Sequence, residues 1–72
     1  MAADDRTPDE WLAAFAARLG VEPPDGATVT ALLDLAGVAA HASERTAAPV
    51  ACWLIGRAGV PPADALEVAR EV

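Results

Sequence analysis

The sequence contains no lysine, and its five arginines are outnumbered by eleven Asp and Glu residues. The formal net charge is −6 over 72 residues. Proteins that bind nucleic acids or anionic membranes electrostatically need several Lys or Arg side chains on one face. We therefore expect no nucleic-acid partner and no membrane partner.

Cysteine and long apolar runs are equally scarce. The single Cys52 allows no disulfide within the chain, which excludes a disulfide-stapled secreted mini-protein. The longest unbroken apolar stretch covers residues 50–55, far short of the roughly 20 residues of a membrane span. The first residues carry acids where a signal peptide would carry a basic segment followed by an apolar run. These features predict a cytoplasmic location.

Side chains that perform chemistry are rare as well. The chain has one His, one Cys and one Ser, which are His41, Cys52 and Ser43. A metal site needs several such ligands, and nucleophilic catalysis needs a nucleophile, a base and an orienting group. No Gly-rich loop that could hold a phosphate joins a strand to a helix. The sequence therefore predicts no enzyme activity, no catalytic residue, no cofactor and no metal.

Alanine dominates what is present, at 19 of the 72 residues, and it has the highest helix propensity. Pro and Gly divide the chain into four segments, and none alternates β-branched and polar residues as a strand would. The sequence predicts a single all-α domain over residues 1–72, a small four-helix bundle with short Pro/Gly loops. The predicted helices cover residues 8–19, 28–44, 47–58 and 62–72.

Local signals mark the ends of two of these helices. Thr7 is the expected N-cap of the first helix, with Pro8 at its first position and Glu10 completing a capping box. Gly20 is expected to end the first helix and Gly59 the third.

The predicted core follows the apolar positions of each helix. The third helix is apolar nearly all round, so we expect it to be the central, most buried helix, with Trp53 in the core. Trp53→Ala is then expected to cost about 3–5 kcal/mol. The other expected core positions lie at helical spacing in the remaining helices: Trp11, Leu12, Phe15 and Leu19; Val29, Leu32, Leu33, Ala36 and Ala40; Ala65, Leu66, Ala69 and Val72.

Opposite the predicted apolar stripe of the second helix lies a row of residues that we call the polar ridge: Asp34, Val38, His41 and Arg45. At 100° per residue these positions fall within about 60° of one another. One interpretation is an ordinary solvated face. The other is a docking site for a protein partner, because arginine and apolar anchors are enriched in binding hot spots.

Acyl carrier proteins are also small, acidic and built of four helices. They carry phosphopantetheine on a Ser that follows Asp at the start of the second helix. Here that helix is predicted to begin at Thr28, and the single Ser43 follows Ala42 at its other end. The attachment signal is missing, and we reject this interpretation.

A different resemblance rests on motifs in the first three helices. The run Leu-Leu-Asp-Leu-Ala at residues 32–36 is followed by Ala-His at 40–41, by Arg45 and by Ala-Ala-Pro at 47–49. With Trp11 and the Leu-Gly that ends the first helix, these motifs resemble a family of small actinobacterial domains of unknown function. Such domains occur alone or fused to the C-terminus of molybdenum cofactor guanylyltransferase.

The sequence departs from the motif of that family at three positions. Gly37 and Val38 replace an Arg-Asp pair, and Thr46 replaces a Pro. If the function of the polar ridge depends on the Arg-Asp pair, this chain has lost part of that function. The resemblance implies an accessory role near molybdopterin guanine dinucleotide synthesis. It implies no catalysis, because the nucleotidyltransferase chemistry belongs to the fused α/β domain.

Three functional hypotheses follow. The first is a non-catalytic accessory or interaction module that binds a guanylyltransferase or another molybdoenzyme-maturation protein. The alternative is a self-associating structural protein, such as a homodimer, with no small-molecule ligand. The third is a small enzyme or cofactor binder that uses Asp34, His41 and Arg45, which would need a pocket that four short helices rarely enclose.

Overall fold

The computed structural model describes residues 5–72, and this range contains four α-helices and no strand. The predicted all-α class with four helices is confirmed. The first four residues of the predicted domain lie outside the described range. The helices are α1 (Pro8–Leu19), α2 (Gly26–Ala42), α3 (Ala47–Ala58) and α4 (Pro62–Glu71).

The start of α1 has the capping box that the sequence predicts. The backbone N–H of Glu10 donates to Thr7 Oγ1 at 3.1 Å, and the backbone N–H of Thr7 donates to Glu10 Oε1 at 2.8 Å. These two bonds satisfy amides that the helix itself leaves unpaired. The bond from the Thr7 backbone stabilises the charged carboxylate and lowers the pKa of Glu10.

Helix α2 begins at Gly26, two residues before the predicted Thr28, and ends at Ala42. Its N-cap is Asp25, whose Oδ1 accepts a hydrogen bond from the backbone N–H of Thr28 at 2.8 Å. Asp is among the strongest N-cap residues, which explains the earlier start. The same hydrogen bond lowers the pKa of Asp25.

Glycines end α1 and α3, as predicted. Gly20 and Gly59 adopt left-handed backbone conformations, with φ of 77° and 72°. Only glycine occupies this region without steric cost, so both positions stop a helix in the usual way.

Helix α2 is the central helix of the fold. Both α3 and α4 pack against it, whereas α1 makes few contacts with any other helix. The fully buried residues of the described chain are Ala16, Leu35 and Ala65, and α3 contributes none of them. The prediction that α3 is the central, most buried helix is therefore wrong.

Trp53 lies outside the core, contrary to prediction, and its side chain is 63% exposed. The reason is the distribution of residue sizes around α3. The half-buried positions of α3 include three alanines, Ala47, Ala48 and Ala51, which allow the helix to approach α2 closely. Val50, Trp53 and Leu54 occupy the other side of α3 and are exposed, whereas Ile55 is half-buried on the same side as the alanines.

The buried face of α2 is rotated from the predicted one. Leu33, expected in the core, is 67% exposed, whereas Leu35 is 1% exposed and forms the centre of the core. The two residues are 200° apart around a helix. The alanines of α2 are spread over more than half of its circumference, so its hydrophobic pattern does not define a single direction.

Helices α1 and α4 also expose residues that were expected inside. Leu19 on α1 and Val72 after α4 are exposed, and Trp11 and Phe15 are each close to half exposed. Because α1 makes few contacts with the other helices, its apolar stripe is covered mainly at Ala16.

Candidate interaction surfaces

The four residues of the polar ridge do not form one continuous exposed row in the structure. Asp34 and His41 are exposed on α2, and Val38 on the same helix is half-buried. Arg45 is exposed but lies in the turn between α2 and α3, outside the helix that was expected to align it with the others.

A second surface, which the sequence analysis missed, is the α3 stripe: Val50, Trp53, Leu54 and Arg57. These positions have the spacing i, i+3, i+4 and i+7, which places them on one side of a helix. All four side chains are exposed. Trp and Arg are enriched in protein-binding hot spots. On this stripe Trp53 and Arg57 lie beside the aliphatic side chains of Val50 and Leu54.

An aromatic pair lies on α1. The rings of Trp11 and Phe15 have centroids 5.0 Å apart and are tilted by 32°. This separation is in the favourable range for aromatic pairs, so the two side chains form one aromatic knob on α1. Both side chains keep nearly half of their surface exposed.

An apolar groove separates α3 from α4. Both helices pack on α2, and the space between them has a volume of about 340 Å³. Leu35 and Ala39 of α2 line its floor, and no residue of α1 lines it. Its walls come from α3, α4 and the residues that follow each: Ala51, Leu54, Ile55, Ala58, Val60, Ala65, Val68, Ala69 and Val72. The lining contains no charged or polar side chain.

A smaller cavity of about 80 Å³ lies where α1 meets the start of α2. Asp9 and Leu12 line it from α1, and Pro23, Pro24 and Val29 line it from the other side. It has room for little more than water.

Ligand clusters for metals do not occur in the part of the chain that the structure describes, where no three His, Cys, Asp or Glu side chains come together. Cys52 is a free, half-buried thiol. Across residues 5–72, no helix combines the length and hydropathy needed to cross a bilayer.

Many apolar side chains remain in solvent. Among the residues that the structure describes, eleven large apolar side chains are exposed. Extensive exposed apolar surface is the usual mark of a protein that binds another protein.

Fold and surfaces together define a small all-α domain whose described residues include three exposed apolar features: the α3 stripe, the Trp11–Phe15 pair and the apolar groove. The chain belongs to the family described as a domain of unknown function, DUF6457, whose model matches residues 3–72. The comparisons find no similar curated protein and no similar solved structure.

Proposed function

We propose that this chain is a non-catalytic interaction module that binds a protein partner through the α3 stripe. The observation that carries the proposal is the exposure of Trp53, with Val50 and Leu54 beside it, on a helix whose small residues face the core. A tryptophan left in solvent contributes little to folding, whereas burial in a partner's pocket makes it a strong anchor.

The partner that the sequence resemblance favours is a molybdenum cofactor guanylyltransferase or another molybdoenzyme-maturation protein, met in the cytoplasm of an actinobacterium. Related domains resemble this chain and occur fused to such an enzyme. With a net charge of −6, this chain would bind best to an apolar patch with a basic rim. The polar ridge remains a second candidate contact, because the motif of the resembling domains includes Asp34, His41 and Arg45.

The test is a binding measurement between the purified chain and the guanylyltransferase of the same organism. Trp53→Ala is expected to weaken binding by at least about 30-fold, the effect of removing a hot-spot anchor worth about 2 kcal/mol. The matched control is Leu33→Ala, which removes an apolar side chain of similar exposure on another helix. It should leave the affinity within about twofold.

The double variant Val38→Asp with Arg45→Glu tests the polar ridge in the same assay. A loss of binding with unchanged melting temperature would include the ridge in the interface. No measurable binding by the wild-type chain, or equal losses for Trp53→Ala and Leu33→Ala, would contradict the proposal.

A further inference from the structure

The apolar groove has room for aromatic side chains that the chain itself does not place there. A cavity of roughly 150 Å³ in a protein interior accepts one benzene ring. At about 340 Å³, the groove between α3 and α4 has more than twice that volume. Its lining is apolar throughout, so a charged ligand would lose its hydration without compensation.

Helix α1 carries two rings that lack a complete packing partner. Trp11 and Phe15 contact each other at 5.0 Å between centroids and remain nearly half exposed. No residue of α1 lines the groove of its own chain. The chain therefore presents both an aromatic pair and an apolar groove, and the two are separated from each other.

We propose that the groove binds the Trp11–Phe15 pair of a second copy of this chain, so that two copies form a reciprocal dimer. Each copy gives one aromatic pair and receives one, which closes the assembly with two-fold symmetry. This inference is separate from the proposed function, because Val50, Trp53 and Arg57 of the α3 stripe do not line the groove, and Leu54 is the one stripe residue that does.

The presence of both surfaces on one chain supports a second copy as the occupant. Trp11 and Phe15 are exposed on α1, and Leu54, Val68 and Val72 of the groove lining are exposed as well. Two copies related by a two-fold axis can therefore cover both surfaces twice. A stable dimer of standard size buries about 800 Å² on each partner, and the reciprocal contact must supply an area of this order.

The net charge of the chain opposes this dimer, and this predicts how the dimer affinity depends on salt. Each copy carries a net charge of −6, so two copies repel each other at low ionic strength. The groove and the aromatic pair contribute no opposite charges to offset the repulsion. Added salt screens the repulsion, and we expect the dimer to become tighter as salt rises.

The experiment is light scattering and sedimentation over a concentration series, with two variants that each remove one side of the contact. Phe15→Asp removes the knob, and Val68→Asp introduces a charge into the groove. The wild-type chain is expected at twice 7.3 kDa. Each variant alone should dissociate at least about 30 times more readily. Leu33→Asp, which adds the same charge at an exposed apolar position on neither surface, should remain dimeric.

Mixing the two variants tests the reciprocal arrangement. In the mixture, the intact pair of the Val68→Asp chain can enter the intact groove of the Phe15→Asp chain. The mixture should therefore associate more tightly than either variant alone. Pairing of groove with groove, or of α1 with α1, would leave the mixture as weak as its components and would overturn the proposal.

A second pair of variants guards against misfolding, which circular dichroism would reveal. Trp11→Ser and Val72→Asp alter the same two surfaces, and Val72 is so exposed that its replacement cannot disturb the core. A monomeric wild type at every concentration and salt level would overturn the proposal. Association beyond two copies, or a dimer that all four variants preserve, would do the same. Failure here would leave partner binding through Trp53 unaffected, so the two proposals can fail separately.

Discussion

The buried face of α2 can be tested by making one substitution at two positions. Leu35→Ala and Leu33→Ala remove the same three carbon atoms from one helix, at sites that are 1% and 67% exposed. We expect Leu35→Ala to destabilise the chain severely and Leu33→Ala to have little effect.

The expected magnitudes follow from the buried carbon atoms. Removing three fully buried carbons costs about 2.4 kcal/mol in transfer free energy. The cavity left behind adds to that loss, and Leu→Ala changes in cores cost about 2–5 kcal/mol overall. Leu35 also forms the floor of the apolar groove, so part of the new space opens to solvent. We therefore expect a loss of about 3 kcal/mol at Leu35 and below about 1 kcal/mol at Leu33.

The measurement is the free energy of unfolding from urea titrations followed by circular dichroism. A loss of about 3 kcal/mol corresponds to a melting temperature lower by roughly 12–24 °C in a domain of this size. Both substitutions are made in the Phe15→Asp background, so that association does not add to the apparent stability. Equal losses at the two positions, or a larger loss at Leu33, would refute the orientation of α2 described above.

Three further predictions concern the helix ends and the absence of ligands. Gly59→Ala should cost about 1–2 kcal/mol because φ is positive at Gly59, whereas Gly56→Ala inside α3 should stabilise the chain by about 0.5–1 kcal/mol, both measured by urea unfolding. The pKa of Asp25 is below its ordinary 3.8 in the folded chain, so its stabilising charge is complete above that pH and is lost as the pH falls through the folded value. The wild type should therefore lose more stability than Asp25→Asn between neutral pH and about pH 3. Elemental and nucleotide analysis of the purified chain should find neither metal nor nucleotide in stoichiometric amount, and about one zinc per chain would contradict this expectation.

The helix ends could be predicted because their signals are local. A capping box needs only Thr7 and Glu10 three residues apart, and a helix stop needs only a glycine such as Gly20 or Gly59. The start of α2 was predicted two residues late, although Asp25 before Gly26 carries a cap signal of the same kind.

The packing could not be predicted in the same way, because alanine packs well on any face of a helix. In α2 the large residues Leu32, Leu33 and Leu35 are spread over about 160° of the helix circumference, so they do not define one buried side. The choice of Leu35 as the core residue depends on how α3 and α4 approach, which is a property of the whole fold.

The α3 stripe could have been predicted by comparing the sizes of the residues on the two sides of the third helix. The third helix is apolar all round, which suggested burial, but its two sides differ in size. Ala47, Ala48 and Ala51 lie on one side, and Val50 and Trp53 lie on the other. In a chain so rich in alanine, a helix with one small side is expected to place that side against its neighbour.

The arrangement of α3 and α4 around α2 also has a kinetic consequence. Residues 43–46 and 59–61 link the three helices, and most close residue pairs of the chain are fewer than 12 positions apart in sequence, although α2 and α4 pack across the length of α3. Chains of such low contact order fold in microseconds to milliseconds. Encounter between two chains is slower at ordinary protein concentrations. Each chain therefore completes its groove, and presents it open, before a second chain or a partner enzyme can reach it.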